Sequence, residues 1–454
     1  MNITLILAVL AILVFTGLAL EELFRRTGIP DVLVLLLIGL AASATGLIQL
    51  DSVRGIDRVF TTVALVLILF EGAVRVRLSD LQTALGPALR VTLINFVASV
   101  VLVGLMAWAL FGMRPLAAAT LGAILGGTSS AVVIPMVQAL RMSDRTRTAL
   151  SLESALSDVL CIVFVLALVG GLTSQTMSVG AVGLQLVRGF VGALALGLVL
   201  GVAWSVGLRS LRRRGTSLVS TGAAVFLVYA MAESFGTSGA IACMAFGVVL
   251  GNASALGGGD DAARELDLTP GERLFLSEVA FLLKVFFFVY LGASLDLDGY
   301  QPFLFGGLVT VGVFGVRPWV VRLSFWAGQT TRRDASVASA LVPKGLAAAV
   351  LADIPRQAGV AEGGTIQAVV FGTILLSIIL ASILVFTVDR PFVAHAYARI
   401  FGNYPEKLEI DSVKADPAPA AAAVAAAAGA GAVAEAEKDA EPPAAPPGPP
   451  VASA

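Results

Sequence analysis

Hydrophobic runs of about 20 residues, the length that crosses a bilayer as a helix, follow one another through most of this chain with short polar stretches between them. Thirteen spans are predicted, near 3–21, 29–48, 57–74, 86–112, 116–140, 147–171, 179–207, 217–235, 239–255, 273–296, 300–326, 335–355 and 364–388. Two of them break the apolar pattern at their middle. The fifth is interrupted by Gly126-Gly127-Thr128-Ser129-Ser130 and the twelfth by Val342-Pro343-Lys344-Gly345. Each interrupted span precedes a long continuous one. The seven-span offset between them is odd, which sets the two halves in opposite orientation. The pattern predicts an all-α polytopic membrane protein of thirteen transmembrane helices, an inverted repeat whose interrupted helices (spans five and twelve) cross at a midplane site.

Composition agrees with that reading. The 454 residues are 57% hydrophobic and 13% charged, with a mean hydropathy of +0.92, outside the range of soluble domains. A formal net charge of −1 provides no basic field for nucleic acid. Cys161 and Cys243 sit in apolar runs and read as small core residues rather than a redox or metal pair. The single histidine, His395, follows the last span, so proton chemistry within the membrane falls to carboxylates and lysines.

Loop charge sets the orientation. Stretches after odd-numbered spans carry Arg25 and Arg26, Arg75 and Arg77, Arg141, Arg145 and Arg147, Arg209 and Arg212 to Arg214, Arg264 and Arg273, and Arg332 and Arg333. Those after even-numbered spans carry only Arg54, Arg58, Arg114 and Arg356. The positive-inside rule then predicts a multi-pass protein of the plasma (inner) membrane with its N-terminus outside and its C-terminus cytoplasmic. The first run has its positive charges after it rather than before, so 3–21 is expected to be a retained span, not a cleaved signal. Residues 409–454, rich in Ala and Pro, cannot bury enough apolar surface to offset ordering and are expected to be a disordered cytoplasmic tail.

The costly residues carry the chemistry. Span six contains Glu153 and Asp158, and an acid at that depth is a functional site by default. Ser154 and Asp158 are four residues apart and share one helix face; Glu153 and Ser157 share another, about 100° away. A hydroxyl and a carboxylate on one face suit a partly dehydrated monovalent cation, and Thr128 and Ser129 at the span-five break add hydroxyl and freed carbonyl oxygens. Small polar residues also serve as packing glue between membrane helices, and only the neighbouring Asp158 tips them toward an ion site. Arg317, inside span eleven, is costly by about 3 kcal/mol or more if unpaired. Glu153 is its expected partner, because Asp158 must stay free to change charge. Lys344 at the span-twelve break is placed to neutralise a half-helix C-terminus. Glu71, Glu233 and Glu278 lie near span ends and could face water. Lys284 and Glu278, six apart, do not share a face and are not expected to pair.

Phe70-Glu71-Gly72, the Thr128 segment, Glu153-Ser154-Ala155-Leu156-Ser157-Asp158, the stretch 287–297 and Arg317-Pro318 together resemble the monovalent cation/proton antiporter superfamily, close to the thirteen-span sodium/proton exchangers. The resemblance covers about residues 5–392. It implies a core domain (86–171 and 300–388) moving against a dimerisation scaffold (3–74 and 217–296), with 179–207 as a linker helix within a transmembrane domain of residues 1–408. It further implies a homodimer in the lipid bilayer that exchanges Na+ or K+ for H+, with no cofactor and no enzymatic activity. By position, Asp158 resembles the ion- and proton-binding aspartate, Ser154 and Thr128 its flanking ligands, Glu71 a ligand from the scaffold side, and Glu153 with Arg317 the structural ion pair.

Two departures matter. Where many exchangers have Thr-Asp-Pro, this chain has Thr128-Ser129-Ser130, and Ser157-Asp158 stands for Asn-Asp. One ion-coordinating acid has become a hydroxyl, which weakens the field on the cation and leaves Na+ and K+ as alternatives. Neither hydroxyl carries a second proton, so one-for-one electroneutral exchange is expected. The expected mechanism is competition: Asp158 holds a proton or a cation, never both, and only the neutralised core crosses. A passive channel would need a continuous polar filter, which no span provides. An organic-anion symporter would need Arg317 or Lys344 free to meet its substrate.

Overall fold

The computed structural model describes residues 3–27, 30–45, 57–76, 78–140, 142–173, 179–212, 217–256, 267–295 and 300–406, and the tail expected at 409–454 lies outside them. The described chain is helical. In order come α1 (Ile3–Thr27), α2 (Asp31–Ala44), α3 (Asp57–Val74), α4 (Leu78–Phe111), α5 (Pro115–Ile124) and α6 (Ser130–Ala139). Next are α7 (Asp144–Thr173), α8 (Val179–Arg212), α9 (Ser217–Ser234), α10 (Gly239–Gly251), α11 (Ala253–Leu256) and α12 (Pro270–Ala293). The last are α13 (Tyr300–Ser324), α14 (Arg332–Ala340), α15 (Leu346–Gln357), α16 (Gly363–Thr387) and α17 (Pro391–Ile400).

Most hydrophobic runs of the sequence coincide with one helix; 116–140 and 335–355 each form two helices flanking a non-helical stretch, and 239–255 is divided at Asn252 into α10 and the short α11. Among the described residues, α4, α7, α8, α12, α13 and α16 are each long and apolar enough to cross a membrane. Several boundaries move: α4 starts at Leu78 rather than near residue 86, and α1 and α8 run on to Thr27 and Arg212, past the expected ends at 21 and 207. α17 follows the last run and lies outside the expected spans.

Local chemistry explains where helices start and stop. Pro115 opens α5 at a position whose N–H would have no partner anyway. Thr269 and Glu272 form a reciprocal capping box at the start of α12. The Thr331 side chain caps α14 by accepting from the Asp334 N–H. Pro343 then lacks a donor and biases Val342 away from helical geometry, so α14 cannot run on into α15.

Lipid explains the outer faces. Leu89, Leu93, Val97, Val101, Leu105 and Trp108 of α4 are exposed at a three-to-four-residue spacing, a continuous apolar stripe along one side of the helix. Inner faces use small residues for close approach. A Cβ on Gly39 of α2 would stand 2.0 Å from the Val289 carbonyl oxygen of α12, and one on Gly292 of α12 would stand 2.1 Å from that of Leu36.

Two packing neighbourhoods result. α4 packs on α5 and α7, α13 on α4 and α16, and α15 on α16 and α7. Elsewhere α10 packs on α8 and α3, and α12 on α2 and α3.

Candidate ion-binding site

α7 presents its two buried carboxylates to different surroundings. Glu153 meets Arg317 of α13 in a bidentate pair, with Nη1–Oε1 at 2.5 Å and Nη2–Oε2 at 2.6 Å. Arg317 Nε also donates to the Ala338 carbonyl at 3.2 Å. Ala338 lies in the last turn of α14, where carbonyls lack helical partners. The guanidinium therefore serves a carboxylate and a half-helix C-terminus together.

The two breaks touch each other. The Ser129 N–H donates to the Pro343 carbonyl at 2.8 Å, and Gly345 lies so close that a Cβ there would stand 2.0 Å from Ser129 Oγ. Lys344 Nζ crosses to the Gly127 carbonyl at 2.8 Å, just beyond the C-terminus of α5, and its backbone N–H donates to Ser377 Oγ at 2.9 Å. Asn95 of α4 donates to the Gly126 carbonyl at 3.1 Å. Cations and an amide thus gather at half-helix C-termini, which carry partial negative charge.

Asp158 lies at the opposite poles. It lines a cavity of about 20 Å³ together with Gly127 to Ser130 and with Gly345 to Ala348, at the N-termini of α6 and α15. Half-helix N-termini favour an anion. A cavity of that size holds one body as large as a water molecule. Ser130 Oγ donates to Asp158 Oδ2 at 3.3 Å. Among the described residues no cluster of three or more His, Cys, Asp or Glu could hold a metal ion. One carboxylate with hydroxyl and carbonyl oxygens is a donor set for a hard, weakly held cation.

The structure brings Thr128, Ser129, Asp158, Lys344 and Ser157 to this crossing. The Thr128 N–H donates to Ser157 Oγ at 3.1 Å, and Ser157 in turn donates to the Ser154 carbonyl at 3.1 Å. Ser154 is also buried, but its hydroxyl donates to the Ser151 carbonyl at 2.9 Å, and it does not line the cavity. Glu71 stands elsewhere. It accepts from Arg75 and, at 3.1 Å, from Ser277 Oγ, and it lines a larger cavity of about 610 Å³. Ile68 and Ser130 border both cavities.

Several partners were not anticipated. Ser130 stood in the predicted break, but its bond to Asp158 depends on how α6 meets α7. Asn95 was visible as an isolated amide in an apolar run. Lys284 finds Asp31 of α2 at 2.6 Å on the wall of the large cavity, and not Glu278, in keeping with their spacing. Glu233 is exposed, in keeping with its place near a span end, and also accepts from the Gly239 N–H at 2.8 Å at the start of α10.

Residues 9–389 match the family described as sodium/hydrogen exchanger, transmembrane. The chain is 26% identical over 388 residues to the K(+)/H(+) antiporter NhaP of Alkalimonas amylolytica, covering 83% of this chain and 65% of that one. It is 26% identical over 249 residues to the K(+)/H(+) antiporter NhaP2 of Shewanella sp. (strain ANA-3), covering 53% of this chain and 43% of that one. The chain therefore spans less than two thirds of the length of these two relatives. The fold is that of the solved sodium proton antiporter MjNhaP1 from Methanocaldococcus jannaschii, with a TM-score of 0.70 at 22% identity, over 88% of this chain and 100% of that one. With that family matched across most of its length, this multi-pass membrane protein belongs to the sodium/hydrogen exchangers.

Proposed function

We propose that the chain exchanges a monovalent cation, Na+ or K+, for H+ by alternating access, with proton and cation competing for Asp158. One observation carries the reading. Asp158 is buried at a cavity for a single ion with, among the described residues, only a hydroxyl as side-chain hydrogen-bond partner, while the other buried acid of α7, Glu153, is already neutralised by Arg317. A buried carboxylate strongly disfavours standing alone as an anion. A proton neutralises it, a cation neutralises it, and the cavity admits one occupant. Exchange at one site of one unit charge for another is electroneutral.

Family membership and the packing of the helices support the moving parts. α4 to α7 with α13 to α16 form the core, and α1 to α3 with α9 to α12 the dimerisation scaffold, α8 linking them in a thirteen-span inverted repeat. The large cavity, bordered by the ends of α3 and α6 and the start of α12, is the cytoplasmic entrance if the basic loops lie inside. Glu71 sits one turn along α3 from Ile68, which borders the Asp158 cavity. Movement of the core along α3 brings the ion held at Asp158 toward Glu71. The anion-symport alternative needs a free positive group, and Arg317 and Lys344 are both engaged.

Reconstitution in proteoliposomes with a trapped pH dye tests this. Imposed Na+, Li+ or K+ gradients should move protons in the wild type and not in Asp158→Asn. Exchange at the normal rate in that variant defeats the proposal.

A further inference from the structure

We infer that Ser130 is a cation ligand at the mouth of the site, whose hydroxyl hydrogen-bonds Asp158 while no cation is bound and turns its oxygen to the cation on entry. The inference rests on exchange at Asp158 as proposed above. Three observations meet at this residue. Its Oγ donates to Asp158 Oδ2 at 3.3 Å, the one side-chain hydrogen bond to that carboxylate among the described residues. It borders both the cavity of about 20 Å³ that contains Asp158 and the cavity of about 610 Å³ beside it. It is only half-buried, whereas Thr128, Ser129, Ser154 and Ser157 are buried.

The hydroxyls of Ser154 and Ser157 donate to carbonyls of their own helix, at 2.9 and 3.1 Å. Ser130 instead directs its donor at the carboxylate, so its bond lasts only while that carboxylate is unloaded. A hydroxyl carries one donor and two acceptor lone pairs and rotates to suit. When a proton occupies Asp158, the new O–H can donate to Ser130. When a cation settles against Asp158, the Ser130 O–H must swing away and a lone pair faces the ion. A cation leaving the larger cavity sheds water at this threshold, and the Ser130 oxygen replaces one of the lost hydration oxygens.

The test uses the full chain in proteoliposomes, titrating K+ and Na+ at fixed pH, with wild type, Asp158→Asn, Ser130→Ala, Ser130→Cys and Ser130→Thr. Losing an oxygen ligand to a charged group should raise the cation KM about tenfold in Ser130→Ala, with kcat within about twofold of wild type. Ser130→Cys, whose sulfur is a weak acceptor, should show the same direction, and Ser130→Thr should recover most of the wild-type KM. In detergent, the KCl concentration giving half of the ion-induced rise in melting temperature should move with the KM, a readout independent of transport. Wild-type KM and half-saturation in Ser130→Ala, beside an inactive Asp158→Asn, would overturn the role of Ser130 and leave exchange at Asp158 standing. Equal impairment in Ser130→Ala and Ser130→Thr would reduce Ser130 to a packing residue. Active Asp158→Asn would remove both.

Discussion

Arg317 of α13 and Glu153 of α7 face each other through two parallel hydrogen bonds, 2.5 and 2.6 Å long, with side-chain exposures of 0% and 1%. The pair joins helices from opposite halves of the chain, and the third guanidinium donor reaches the end of α14. It fixes the distance between the uninterrupted helix that carries Asp158 and one of the two broken ones. A buried pair of this kind adds little over a well-packed apolar one, but losing one partner strands a charge.

Arg317→Ala should therefore destabilise the protein by about 3–5 kcal/mol, seen as lost expression and a lower melting temperature in detergent. Asp158→Asn keeps a hydrogen-bonding group of the same shape and should remain close to wild type in both measurements while losing exchange. The double variant Glu153→Leu with Arg317→Met, which leaves no stranded charge, should recover part of the lost stability. If Arg317→Ala proves as stable as Asp158→Asn, the pair does not organise the crossing.

Gly345 is fixed by proximity rather than by backbone conformation. A methyl group there would stand 2.0 Å from Ser129 Oγ and 2.5 Å from Ser129 Cβ, with Ser129 Cα at 3.5 Å. Gly345→Ala should push the two breaks apart, lengthening the bond from the Ser129 N–H to the Pro343 carbonyl. Poor folding is the expected outcome, at a cost of about 1–3 kcal/mol typical of overpacking. Adding Ser129→Gly removes both clashing atoms and should restore much of the melting temperature. No recovery in the double variant would place the damage elsewhere.

Much of this crossing was legible in the sequence because charge in lipid has few permitted explanations. The breaks at Gly126–Ser130 and around Pro343 announce themselves by glycine, proline and polar residues within apolar runs. Arg317 had to find a carboxylate, and Lys344 a helix C-terminus. What could not be read were contacts set by the angle and depth at which helices meet. Ser130 and Asp158 are 28 residues apart, Asn95 and Gly126 31 apart, and no periodicity within one helix relates such positions. Asp31 and Lys284 were hidden for the same reason, since α2 and α12 come together through Gly39 and Gly292. Ser154 illustrates the opposite error. Its spacing from Asp158 is right for a shared face, yet a serine in a helix can donate to its own turn, and this one does.

Ser129 lines the Asp158 cavity where an acid stands in many related exchangers. Ser129→Asp should intensify the field on the ion and favour the smaller cation, lowering the KM for Na+ relative to that for K+. A second carboxylate also brings a second protonatable group, so exchange should acquire a dependence on membrane potential. Cation titrations with and without an imposed potential check both effects. An unchanged ranking and no potential dependence would remove Ser129 from the set of ligands.

Arg114 before α5 and Glu362 before α16 form a second bridge between the halves, with Nε–Oε1 at 2.7 Å and Nη2–Oε2 at 2.6 Å. The hydrogen bonds and charge of Arg114 hold the Glu362 carboxyl below its usual range, and Glu362 raises Arg114 in return. A carboxyl depressed in the folded state contributes stability above its unfolded value, about 4.3 for Glu, and that contribution fades as pH falls through the folded value. Both side chains reach solvent, so the effect is small and sensitive to salt. Glu362→Gln should melt slightly below wild type from neutral pH down to about 5, with the gap closing under more acid conditions as wild-type Glu362 is protonated. High salt should narrow the gap at neutral pH. A difference that persists unchanged in acid would mean that Glu362 acts by shape or neutral hydrogen bonding and not through its charge.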